Sequence, residues 1–219
     1  TPYVWTGTGS SRDISNGIDL SGKGGMVWIK KRDGASIDQN NVLFDTERDV
    51  GGVPSYLAAN ASDTQDASAT LFSAFNSDGF TVGSSDITNG SYSTPTYGSW
   101  SFRKQAGFFD IVTWTGNGSS RTISHSLGSV PGMILVKNTS STIDWTVWHR
   151  GAAQTNATNT LTLNSTASES TNNTYFDNGS TPPTSTNFTV HTSNRVNADG
   201  DNYVAYVFAG GASSATDKA

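Results

Sequence analysis

The stretch Trp114-Thr115-Gly116-Asn117-Gly118-Ser119-Ser120-Arg121-Thr122-Ile123-Ser124 nearly repeats Trp5-Thr6-Gly7-Thr8-Gly9-Ser10-Ser11-Arg12-Asp13-Ile14-Ser15. The two differ only at Thr8/Asn117 and Asp13/Thr122. A match this dense, half a chain apart, reads as an internal duplication. Other segments follow it. Gly132–Lys137 answers Gly25–Lys30, Val147-Trp148 answers Leu43-Phe44, and Leu161–Asn164 answers Leu57–Asn60. Asn187–His191 answers Gly79–Gly83, and Tyr206–Phe208 answers Trp100–Phe102. The 219 residues therefore divide into a first repeat at 1–106, a second at 107–209 and a small, polar, flexible tail at 210–219. A repeat of about 105 residues buries roughly 60–65% of its unfolded surface, enough for its own core.

Each repeat reads as strands. Only 14% of residues are charged, so the polar surface comes from Ser, Thr, Asn and Gly, which rank low for helix. Gly25–Lys30 is a continuous apolar run, the mark of a central strand covered on both faces. Tyr3–Thr6 and Arg12–Ser15, flanking Gly7–Ser11, predict a hairpin. Alternation puts Trp100 and Phe102 on one face of a last strand. The expected fold is all-β: two tandem antiparallel β-sandwich modules, jelly-roll or lectin-like.

The net charge of −5 disfavours nucleic acid as a partner. No cysteine is present, so disulfides, thiolate metal sites and thiol nucleophiles are excluded. No apolar run is long enough to span a bilayer and no signal peptide is evident, so no membrane partner is expected. His125, His149 and His191 lack zinc spacing. His125 stands where the first repeat has Asn16, and His191 where it has Gly83, so both read as strand-end polar residues. Glu47 and Glu169 are the only glutamates, and no acid pair suited to glycoside hydrolysis stands out. Asn197–Asn202 carries oxygen donors around Gly200, and reads as a turn more readily than as a calcium loop. No catalytic residue, metal site or cofactor is expected, and the chain does not read as an enzyme.

The aromatics carry more. Trp5, Trp28, Trp100, Trp114 and Trp148 fall on strands at positions expected in the core. Trp145 aligns with Asn41, so the fold does not demand an aromatic there. An exposed Trp at that point could stack on a sugar or fill a partner's pocket; core or edge packing is the equal alternative. Tyr92, Tyr97 and Tyr175 are loop candidates of the same kind. His149 and Arg150 follow close behind Trp145 with hydrogen-bonding groups. The candidate ligand-binding set is Trp145, His149, Arg150 and Tyr175.

A further group of segments carries a resemblance. In the first half it comprises Gly17-Ile18-Asp19-Leu20, Gly24–Lys30, Leu43-Phe44-Asp45-Thr46, Phe75–Gly83 and Trp100–Lys104. In the second it comprises Phe108-Phe109-Asp110, Arg121–Met133, Trp148-His149-Arg150 and Tyr203–Ala209. Together they resemble a repeated module of marine bacteriophage virion proteins. The resemblance implies a tail-fibre, appendage or capsid-surface part at the extracellular surface of a virion. Other virion proteins and further copies of the chain, as a homo-oligomer, are the expected partners; the duplicated sandwich, the loop divergence between the repeats and the resemblance together point to host cell-surface glycan. It brings no catalytic residues. The leading expectation is a tail-fibre or receptor-contacting module that binds glycan. The alternatives are a capsid-decorating or fibre-forming protein without a ligand and, behind it, a polysaccharide-degrading enzyme.

Overall fold

A computed structural model describes residues 2–33, 40–153, 158–176 and 182–211. Most of the expected tail, from 212 onward, lies outside the described residues. The chain forms two compact units: residues 1–61 with 65–104, and residues 62–64 with 105–219.

The first unit holds β1 (Pro2–Thr6), β2 (Arg12–Ser15), β3 (Gly25–Lys31), β4 (Val42–Val50), β5 (Val53–Ala58), β6 (Asp66–Ala67), β7 (Phe72–Asn76), β8 (Gly79–Val82) and β9 (Thr96–Arg103). One sheet runs β1-β9-β3-β4-β5-β6 and a second runs β2-β8-β7, all antiparallel. Inner-face residues such as Trp5, Val27, Phe44, Phe72 and Phe80 fill one core. This is the sandwich-like arrangement of two sheets burying facing side chains.

The second unit holds β10 (Phe109–Thr115), β11 (Arg121–Ser124), β12 (Pro131–Asn138), β13 (Thr146–His149), the single-turn α1 (Arg150–Ala153), β14 (Asn159–Thr160), β15 (Ser170–Thr171), β16 (Asn187–Val190) and β17 (Asn202–Ala209). Its main sheet runs β10-β17-β12-β13, the same pairing order as β1-β9-β3-β4. β11 pairs with β16 as β2 pairs with β8. Trp114, Ile134, Trp148, Phe188 and Val190 belong to its core.

The hairpin expected at Tyr3–Ser15 does not form. β1 pairs with β9, and β2 pairs with β8 in the other sheet. Gly7–Ser11 is instead the crossing between the two sheets. The cause lies about 80 residues away. The buried Asn89 side chain accepts from the Thr8 N–H at 3.2 Å and donates to Ser10 O at 2.7 Å and Gly83 O at 2.9 Å. In the second unit Asn197 accepts from the Asn117 N–H at 3.3 Å and donates to Asn117 Oδ1 and Ser119 O. The Thr8/Asn117 difference keeps an acceptor in place, since Asn89 Nδ2 also donates to Thr8 Oγ1 at 3.2 Å. A Cβ at Gly7 would sit 1.9 Å from Gly90 O, and one at Gly116 would sit 1.9 Å from Ala198 O, so both positions require glycine.

Under each crossing lies a Trp–Tyr stack. Trp5 stacks on Tyr97 at 5.7 Å and Trp114 on Tyr203 at 5.3 Å. Tyr97 OH donates to Asp86 O and accepts from the Gly90 N–H; Tyr203 OH donates to Asn194 O and accepts from the Ala198 N–H. Burial raises both phenols to a pKa of about 12. Tyr97, expected in a loop, is thus a buried strand residue. In both units the repeated stretch supplies the crossing that the asparagine holds and the tryptophan of the stack.

Candidate functional site

Strand register decides which side chains share the outer face of the first unit's main sheet. Trp28 lies opposite Trp100, Trp100 opposite Pro2, and Gly98 lies between Val4 and Lys30. Side chains two apart along a strand share a face. Pro2, Val4, Trp28, Lys30, Trp100 and Phe102 therefore project to the side away from the core that Trp5, Val27, Ile29 and Tyr97 fill.

Trp28 and Trp100 were both expected in the core, and they are not there. Trp100 is 46% exposed and Val4 55%, and Trp28 is half-buried. The two indoles meet edge to face, 6.4 Å apart at 65°. Such a pair is held by the ring quadrupoles and keeps a broad apolar surface in one orientation. The other tryptophans expected inside, Trp5, Trp114 and Trp148, are buried.

Two cations border the aromatic pair. Lys30 is half-buried and Arg32 is exposed. A Cβ built on Gly98 would lie 3.3 Å from Arg32 Cδ, so the arginine stem crosses the bare backbone at Gly98. Lys31, out of phase with both, turns inward, and its buried ammonium donates to Asp86 Oδ2 at 2.7 Å. The signal was present in the sequence. Trp28, Lys30 and Arg32 recur at a spacing of two, and polar residues in that phase mark a wetted face.

The sequence-based set Trp145, His149, Arg150 and Tyr175 does not converge. Trp145 is fully buried, and it stacks on Tyr206 at 6.2 Å. Of the two alternatives for Trp145, an exposed platform or core packing, the second is the one observed, so its place in the ligand-binding set is corrected. Tyr206 stacks on Phe109 as well, so the position opposite Asn41 has been recruited into an aromatic layer. Trp145 does align with Asn41: its N–H donates to Asn164 Oδ1 as the Asn41 N–H donates to Asn60 Oδ1. Tyr175 packs against the inner core instead, and Arg195 lies 5.6 Å over its ring. Arg195 in turn pairs with Asp144 at 2.8 Å. His149 is exposed at the end of β13, its Nδ1 accepting from the Gly151 N–H. Arg150 donates to Gly210 O, which ties α1 to the end of β17.

Other polar groups are committed to structure. The Asp45–Arg48 pair, 2.6 Å apart and buried, borders an open cleft of about 320 Å³ lined also by Ser21, Asp49, Pro54 and Phe75. Asp45 also accepts from the Glu47 N–H within β4, and Arg48 donates to Gln65, so both the acid and the base are held by neighbouring structural groups. His125 is buried; its Nδ1 accepts from the Leu127 N–H, as Asn16 Oδ1 accepts from the Ile18 N–H. Burial holds its imidazole below the ordinary pKa. Asn197–Asn202 forms the turn, with Asn197 clamping the crossing loop and the Asp201 carboxylate accepting from Asn138 and Ser141. Among the described residues no group of three His, Cys, Asp or Glu side chains is placed to hold a metal ion. No described helix is long and apolar enough to cross a membrane.

Residues 2–213 match the model of a family described as a domain of unknown function, DUF7483, and the chain belongs to that family. No curated protein and no solved structure matches.

Proposed function

We propose that this DUF7483 member is a glycan-binding module of a virion surface, in a tail fibre or other receptor-contacting part, and that it acts by binding rather than catalysis. The observation that supports glycan binding is the open Trp28–Trp100 pair on a sheet face. Sugar rings present apolar C–H faces that stack on aromatic rings, while their hydroxyls take hydrogen bonds from polar neighbours. Lys30 and Arg32 supply such neighbours. The virion setting rests on the sequence resemblance alone. A glycan array probed with the intact chain tests the reading. Binding by the wild type that Trp100→Ala abolishes is the expected result. An array blank for the wild type, even after multimerisation, overturns it.

A structural role in a fibre or on a capsid is the second reading. It is favoured by β1, an edge strand whose Val4 is 55% exposed. Edge strands recruit other strands. Light scattering that finds a stable assembly, together with a blank array, selects this reading over the first.

A further inference from the structure

We infer that the Trp28–Trp100 face takes acidic glycans, polymers whose sugars carry carboxylate or sulfate, and discriminates against neutral ones. The inference rests on the glycan reading of the same face and adds the charge class of the ligand.

Three observations carry it. First, the two cations occupy the phase of the strand that faces the ligand side. Lys30 lies opposite Gly98, in the row next to Trp28 and Trp100. Adjacent rows on one face are about 6.8 Å apart, twice the strand rise. That is of the order of one sugar residue, so a ring stacked on Trp100 puts its neighbour's acidic group over Gly98, between Lys30 and Arg32. Second, Gly98 leaves the middle of that row without a side chain, and the Arg32 stem crosses it 3.3 Å from where a Cβ would be. The row is therefore a shallow trough with a cationic rim. Third, among the described residues neither Lys30 nor Arg32 forms an ion pair. Asp33, the acid beside Arg32, accepts at Oδ1 from the Thr96 N–H. A positive rim on a chain of net charge −5 is a local feature, unlike the bulk of the molecule. Charge-assisted hydrogen bonds from such groups are about twice as strong as neutral ones.

The second unit supplies a natural contrast. Lys137 pairs with Val204 as Lys30 pairs with Gly98, so it stands in the matching place. It is fully buried, and its Nζ donates to Ser62 O and Asn138 O. Thr139 stands in the place of Arg32, its N–H donating to Asn202 O as the Arg32 N–H donates to Thr96 O. The cationic rim is thus a property of the first unit.

Equilibrium binding of the intact chain to alginate, polysialic acid and chondroitin sulfate tests this, each against its carboxyl-reduced or desulfated form, with dextran as the neutral control. The expected result is at least one acidic polymer bound about tenfold or more tightly than its neutralised form. That preference should shrink several-fold in Lys30→Gln and Arg32→Gln and fall with added salt, while Trp100→Ala removes binding to both forms. Equal binding of acidic and neutral forms, lost in Trp100→Ala but unchanged in Lys30→Gln and Arg32→Gln, overturns the charge inference and leaves glycan binding standing. Acidic-polymer binding that survives Trp100→Ala also overturns it, because the attraction then lies elsewhere. Failure to bind any polymer, charged or neutral, removes both readings together. Circular dichroism of each variant verifies that it is folded.

Discussion

The main sheets of the two units share a pairing order and differ on their outer faces. In the first unit Trp100 is 46% exposed and Trp28 is half-buried. In the second, the matching Leu135 and Tyr206 are buried, and the Tyr206 ring stacks on both Phe109 and Trp145. A residue's place in a strand fixes the face to which it points. It does not fix whether that face is wet. Exposure depends on which side chains pack against it, and around Tyr206 these include Phe109 of β10 and Trp145.

The most severe disruption of this contrast should come from the buried tryptophans. Trp145→Ala and Trp114→Ala should each cost about 3–5 kcal/mol, as large-to-small changes in cores do. That is a large share of the roughly 5–15 kcal/mol that holds a domain folded. Urea unfolding measures it; a Trp145→Ala midpoint close to wild type would mean that Tyr206 is not covered as described.

A second comparison concerns the floor of each Trp–Tyr stack. The first unit places a buried Lys31 against Asp86 at 2.7 Å. The second places Asn138 there, donating to Asn194 O, the Asp201 carboxylate and Tyr203 OH. Asp86→Ala should cost about 1–3 kcal/mol by taking an acceptor from a buried ammonium. The loss should fall toward the lower figure because Asp86 is itself 42% exposed. The double change Lys31→Asn with Asp86→Asn brings in the amide chemistry of the second unit and should recover most of that loss. A double variant no more stable than Asp86→Ala would show that the amide arrangement needs partners the first unit lacks.

Trp100→Ala is the counterpart of Trp145→Ala on the open face. It should cost only about 1 kcal/mol, the worth of the aromatic pair, and abolish glycan binding. A loss as large as that of Trp145→Ala would erase the distinction between the two faces.

The smallest effect is in pH. Burial lowers the His125 pKa, so the unfolded chain binds the proton more readily than the folded one. Stability should then be constant above the unfolded pKa of about 6.5, fall as pH drops through the window below it, and level off under the lowered folded value. Asn16 occupies the same place in the first unit, so His125→Asn should remove that slope. Urea midpoints between pH 5 and 7.5 measure it.

What the sequence discloses follows from the range of the forces involved. Strands such as Gly25–Lys31 and Arg12–Ser15 were legible because they depend on near neighbours. The crossing at Gly7–Ser11 was not, since a Gly-rich link between two short strands looks the same whether the strands pair or part. Asn89, about 80 residues on, decides. Trp145 was aligned correctly with Asn41, yet nothing local reveals that Tyr206 and Phe109 close around it. Trp28 and Trp100 were misread for the converse reason. An aromatic on a central strand is usually covered, and only the Lys30 and Arg32 phase argued against it. The candidate site was therefore present in the sequence as a pattern of two and was masked by the prior that tryptophan is interior.

Pairing of β1 with β9, and of β10 with β17, has a consequence for biosynthesis. A ribosome delivers β1 first and its partner about 90 residues later. Until Tyr97 emerges, Trp5 has no ring to stack on, although β3-β4-β5 and β7-β8 join strands close in sequence and can zip early. Each unit's main sheet is thus closed by its last strand, and pairings of such long sequence separation are of the kind that slow folding.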